Sequence, residues 1–202
     1  MRVILAVAVS LLASSAFAGG SGGLDCSQFH IDAKASVPLA VVATTHAPGS
    51  CHFRHAANGM RLPDESCTPG AVNPTVTADV LRNPKFRTGC VRGALTTEAQ
   101  KQVVYGWYGL AKPKHNNGPD QTAEIDHLIS VGLAGSDALE NLWPQAEDPS
   151  HPAVRVGERE FKIKDAHAEL GLMKQVKAGV DLATIQRRIA EDWTQFIVAP
   201  DR

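Results

Sequence analysis

Glu124-Ile125-Asp126-His127-Leu128-Ile129-Ser130-Val131-Gly132-Leu133-Ala134-Gly135-Ser136-Asp137-Ala138-Leu139-Glu140-Asn141-Leu142-Trp143-Pro144-Gln145 is the stretch that decides how this chain is read. A short apolar strand ends in an Asp-His pair, a small-residue turn follows, and Asn141 opens a second apolar run. Adjacent side chains on a strand point to opposite faces. Asp126 and His127 therefore do not share a ligand shell side by side, but they can flank a phosphate from two directions. Asp126 is the residue type to hold a divalent cation, and His127, which titrates near neutrality, is the type to take a proton from water. Phosphodiester hydrolysis draws on both, because metal charge and a positioned base supply most of its catalysis.

The stretch also resembles the HNH, or ββα-metal, nuclease motif. In particular it resembles a secreted bacterial group reading roughly Glu-x-Asp-His-Leu-Ile-Pro-Leu-x-Leu-Gly-Gly, then Asn-Leu-Trp-Pro-Gln. Glu124, Asp126, His127, Leu128, Ile129, Leu133, Gly135, Asn141, Leu142, Trp143, Pro144 and Gln145 match at the same spacing. Ser130 replaces the proline and Ala134 the first of two glycines. The resemblance also implies an upstream Cys-Thr-Pro-Gly, present as Cys67 to Gly70, and two downstream helices carrying Lys164-Asp165 and Ile189-x-x-x-Trp193. It covers about Leu62 to Phe196.

The resemblance implies a mainly helical small α+β domain built around a ββα hairpin-helix, with a disulfide-stapled irregular segment before it. It implies a metal-dependent endonuclease of little sequence specificity, acting on nucleic acid, DNA in preference to RNA. Asp126 coordinates magnesium or a similar ion, His127 activates water, and Asn141 hydrogen-bonds across the hairpin to hold the His127 loop. Glu124, on the same strand face as Asp126, is either a carboxylate behind the metal shell or a solvent-exposed group. The remaining metal ligand is Glu160 or His151. Glu160 is favoured, because it falls within the expected helix and offers a hard oxygen. Lys114, Lys162 and Lys164 are candidate nucleic-acid contacts. The rival reading, from another class, is a non-catalytic nucleic-acid- or protein-binding module that keeps the ββα shape. An inhibitor protein, if there is one, cannot be identified from the sequence.

Met1-Arg2, the apolar run Val3 to Val9 and Ala16-Phe17-Ala18 have the form of a signal peptide cleaved before Gly19. The organisation expected is a leader over 1–18, an irregular segment over 19–65 and the nuclease-like domain over 66–202. This implies export to the periplasm or beyond, with no stable membrane association. Four cysteines, Cys26, Cys51, Cys67 and Cys90, suit disulfides in an exported chain, with three complete pairings available. Zinc is disfavoured by the lack of a Cys-x-x-Cys pair. Cys67–Cys90 is expected because both lie in the part that resembles the family, which leaves Cys26–Cys51.

Without Arg2 the chain has nineteen basic against twenty-one acidic residues. That balance argues against tight, strongly basic nucleic-acid gripping and for transient, salt-sensitive contact. Along the chain, Val37 to Ala43 reads as an edge strand interrupted by proline, and His46, His52 and His55 as an exposed loop. Thr96 or Thr97 is expected to cap a helix with Val103, Trp107 and Leu110 on its inner face. A helix over about Glu158 to Lys177 should end at Gly179. Asp181 should cap a last helix whose stripe Leu182, Ile185, Ile189, Trp193 and Phe196 is core.

Overall fold

The computed structural model describes residues 26–91, 96–114, 123–146 and 163–197. Four helices and three two-stranded antiparallel sheets make an α+β fold among these residues. Its helical content is more modest than expected: α1 is Ala78–Arg82, α2 Glu98–Trp107, α3 Leu170–Lys177 and α4 Leu182–Asp192. The strands pair as β1 (Val37–Pro38) with β4 (Ala71–Val72), β2 (Arg54–His55) with β3 (Arg61–Leu62), and β5 (Ala123–His127) with β6 (Leu142–Ala146).

The β5–β6 hairpin is the longest ladder, with His127 opposite Leu142 and Asp126 opposite Trp143. Its loop is tight at Gly135, where a Cβ would lie 1.7 Å from the Ile129 carbonyl oxygen, so no other residue fits. Ala134 sits at φ 63°, in the left-handed region. An alanine there costs roughly 1–2 kcal/mol, which the glycine of the resembling group would avoid.

Helix boundaries follow local chemistry. Thr97 caps α2 in a full capping box with Gln100. Asp181 accepts from the Thr184 amide at the start of α4, and Gly179, at φ 105°, terminates the preceding helix. Ile185, Ile189 and Trp193 are buried, as their stripe demands. On α2 Trp107 is buried as expected, but Val104 is buried in place of Val103, which is exposed. Of the expected edge strand only Val37–Pro38 pairs.

Among the described residues the main core joins Trp143 of the hairpin, Trp107 of α2, Leu172 and Val176 of α3, and Ile185 and Ile189 of α4, with Trp193 beside them, and Tyr105 packs on Ala123 in a second, smaller cluster. The Cys-Thr-Pro-Gly segment is fastened to the hairpin from behind. The buried Thr68 hydroxyl donates to the Leu142 carbonyl at 3.0 Å, and the Gly70 amide donates to Glu140.

The disulfides are Cys26–Cys90 and Cys51–Cys67, not the expected Cys67–Cys90 and Cys26–Cys51. The reason is local. The Cys51 amide donates to the Trp107 carbonyl, and the Asp64 amide and Thr68 hydroxyl on either side of Cys67 bond the Tyr108 hydroxyl, which holds both half-cystines under the end of α2. Phe29 packs edge-to-face on Phe86, bringing Cys26 to Cys90. Both disulfides and the β1–β4 pairing link residues before 66 to residues after it. Two disulfides fit an oxidising, extracellular setting, and among the described residues no helix is long and apolar enough to cross a membrane. Residues 1–18, the expected leader, lie outside the described residues.

Candidate active site

Strand β5 delivers Asp126 and His127 to the wall of a cleft of about 460 Å³, lined also by Glu98, Lys101, Glu124, Ser130, Asp137, Asp165 and Glu169. Alternation on the strand sends the two side chains to different partners. His127 Nε2 lies 2.6 Å from Asp137 Oδ1, with both side chains mostly buried. An ionised carboxylate accepts only, so Nε2 is the nitrogen that donates, and in the neutral ring that tautomer leaves the lone pair on Nδ1. Asp137 was not picked out from the sequence; it lies in the turn ten residues on, and no spacing rule marks it.

Asn141 is fully buried and fixes that turn. Its Oδ1 accepts from the Ile129 and Ala71 amides at 2.9 and 3.3 Å. Its Nδ2 donates to the Ile129 and Ser136 carbonyls at 2.9 and 2.8 Å. One amide thus bridges the strand after His127, the residue before Asp137 and the Cys67–Gly70 side of the fold. No other side chain of this size offers two acceptor positions and two donors.

Asp126 turns Oδ2 to Lys164 Nζ at 2.6 Å, while its side chain remains 22% exposed on the cleft. Lys164 also donates to the His127 carbonyl and to Glu169 Oε1, each at 2.7 Å, and is 1% exposed. The candidate role of Lys164 as a nucleic-acid contact is therefore corrected: its ammonium is spent inside the protein on three acceptors. Burial opposes its charge, but Asp126 and Glu169 more than offset that and hold its pKa above the ordinary lysine value. A π-helical turn over Lys164–Glu169 aims it at the hairpin. Next to it, the Asp165 carboxyl is pushed up to about 6 by desolvation and by repulsion from Glu169 and Asp126.

Glu124 is half-buried on the cleft wall. Lys114 is exposed, at the end of a described stretch. Glu160, His151 and Lys162 lie outside the described residues. His46 departs from the exposed-loop expectation: its Nε2 is shut off from solvent, and its ring packs edge-on against Trp107.

Glu124, Asp126, Asp165 and Glu169 are hard oxygen donors, suited in kind to magnesium, which takes one or two carboxylates and keeps several waters. Of the cleft carboxylates, Asp126, Glu124 and Asp165 are of the residue type that could hold a hard divalent ion. Among the described residues, the trio of ligand atoms that gathers within 4.8 Å is a different one, His46 with Cys51 and Cys67. No family model matches the chain, and neither a curated protein nor a solved structure matches it at a significant level.

Proposed function

We propose that this chain is an exported, metal-dependent endonuclease of the HNH type, hydrolysing phosphodiester bonds in nucleic acid with little sequence specificity. The observation that carries the reading is the His127–Asp137 pair at 2.6 Å on the wall of a carboxylate-rich cleft. Asp137 fixes the ring and its tautomer, so Nδ1 can take the proton of a water that attacks phosphorus. Asp137 also stabilises the imidazolium that forms. Asn141 keeps the His127 strand end and the Asp137 turn in register, which is a positioning role, since an amide has no useful pKa. Lys164 holds Asp126 in one rotamer and neutralises part of the cleft wall.

A bound divalent cation would supply Lewis-acid stabilisation of the charge growing on phosphorus and on the leaving oxygen. The excess of carboxylates makes such an ion a condition for a polyanion to enter at all. Supercoiled plasmid should be nicked with magnesium or manganese and not with a chelator. His127→Ala should slow nicking by about 10²-fold or more, the range of a lost general base. Equal cutting by wild type and variant removes His127 from the mechanism.

One observation favours a second reading, a binding module without turnover: Lys164 already occupies one oxygen of Asp126. No nicking with any divalent cation, together with retention of DNA in a gel-shift assay, selects that reading.

A further inference from the structure

Away from the cleft, a ring nitrogen of His46 and the sulfurs of Cys51 and Cys67 lie within 4.8 Å of one another. The two sulfurs form a disulfide, and disulfide sulfur is not a thiolate and does not hold zinc. His46 Nε2 is sealed from solvent with no hydrogen-bond partner. A buried ring nitrogen left in that state calls for an explanation. We infer that Cys51, Cys67 and His46 form a redox-gated zinc site, closed as a disulfide in the oxidised protein and open to zinc once the disulfide is reduced.

The geometry supports this. A tetrahedral site with Zn–S near 2.3 Å and Zn–N near 2.0 Å separates its two sulfurs by about 3.8 Å and each sulfur from the nitrogen by about 3.5 Å. The His46 nitrogen is already within reach. The sulfurs need only part by side-chain rotation, because the Cα atoms stand 6.2 Å apart. The frame around them is held independently of the disulfide. Hydrogen bonds anchor the Cys51 amide to Trp107 and the Cys67 amide to Asp64, and the His46 ring rests on Trp107 with centroids 4.7 Å apart. Two sulfurs and an imidazole select zinc over magnesium, so this site is distinct in chemistry from the carboxylate cleft. A water would complete the shell.

The step balances. A dithiol delivers two electrons and two protons, breaking the Cys51–Cys67 bond to two thiols and becoming a disulfide itself. Zinc binding then releases both thiol protons to solvent. The consequence is a metal clip that replaces the covalent one wherever the chain meets reducing conditions.

The test uses the full mature chain, reduced anaerobically with a phosphine, which takes oxygen from water and becomes its oxide. Cysteine alkylation is followed by mass mapping with and without one equivalent of zinc. Zinc should slow alkylation of Cys51 and Cys67 by about tenfold or more while leaving Cys26 and Cys90 unchanged. The oxidised chain should bind no zinc in equilibrium dialysis. His46→Ala should lose more than the roughly tenfold in affinity that removal of a ligand's outer partner costs. Cobalt on the reduced wild type should give tetrahedral bands with thiolate charge transfer, a readout that needs no variant. Equal protection of all four cysteines, no protection, or a cobalt spectrum without tetrahedral bands overturns the site.

Discussion

Replacing Lys164 by methionine probes the electrostatics on which the cleft rests. The ammonium is 1% exposed and touches three oxygens at 2.6–2.7 Å, two of them carboxylate. Methionine fills most of the volume but leaves Asp126 and Glu169 facing each other without a cation, beside an unpaired His127 carbonyl. Removing one partner of a buried ion pair costs about 3–5 kcal/mol, a large share of a total stability of roughly 5–15 kcal/mol. For a chain of this length that corresponds to a melting temperature lower by roughly 6–20 °C. The assay is equilibrium urea unfolding followed by tryptophan fluorescence, since Trp107, Trp143 and Trp193 are all buried. Adding Asp126→Asn to the methionine variant removes one of the orphaned charges, so the double variant should be less destabilised than the sum of the singles, by about 1–3 kcal/mol. The pH arm has a definite sign. As pH falls the orphaned carboxylates of the folded variant take up protons, and the gap to wild type narrows. A single variant within about 1 kcal/mol of wild type, well inside the range of ordinary surface and mild core changes, or strict additivity in the double, refutes the assigned role of Lys164.

The same reasoning extends to three other positions. Asn141→Asp keeps the acceptor for the Ile129 amide but points a carboxylate oxygen at the Ile129 and Ser136 carbonyls. It should cost about 3 kcal/mol or more at neutral pH and less in acid, where the protonated group can donate again; urea unfolding at pH 7 and pH 4.5 measures both. Asp165 titrates near 6 in the folded chain, above its ordinary value, so its charge destabilises increasingly as pH rises from the unfolded to the folded pKa. Asp165→Asn should therefore raise the melting temperature at pH 7 and lose that advantage by about pH 4, where an ordinary aspartate is also half protonated; differential scanning calorimetry at the two pH values decides. Non-reducing peptide mapping should recover Cys26–Cys90 and Cys51–Cys67. The chain-entropy argument gives the longer loop about 4 kcal/mol and the shorter about 3 kcal/mol, so separate Cys-to-Ala pairs, compared by urea midpoint, should rank in that order.

Much of the fold was legible because local chemistry decides it. A threonine before a helical pattern with glutamine three residues on specifies α2. Aspartate, an apolar stripe and a tryptophan specify α4 and the turn after it. The hairpin was legible for the same reason: its two apolar runs are joined by small residues, and Gly135 admits no Cβ. The disulfide pairing was not legible. It depends on the contacts of Cys51 with Trp107 and of Asp64 and Thr68 with Tyr108, which join segments 40 residues or more apart in sequence, and four cysteines leave three pairings open.

The site divides along the same physical line. Asp126 and His127 stand out in the sequence as an Asp-His pair at the end of an apolar strand, and Asn141 through the resemblance to the HNH motif. Asp137 does not, since a turn residue acquires its partner only when the loop closes, and a lone aspartate in a small-residue turn reads as solvated. Lys164 is the more instructive case. From the sequence, lysine on a helix beside a phosphate-handling motif suggests a hand extended to the substrate. Folded, the π-helical turn directs it inward, where two carboxylates and a carbonyl outcompete solvent for its ammonium. Sign of charge alone therefore misplaces it; the deciding quantity is the number of acceptors within 3 Å that have no other cation among the described residues. Asp126 and Glu169 meet that condition at Lys164. Asp165, one residue on, shows the opposite outcome: desolvation first, and then repulsion from Glu169 and Asp126, push its carboxyl up to about 6, so replacing it with asparagine removes a charge the fold holds at a cost.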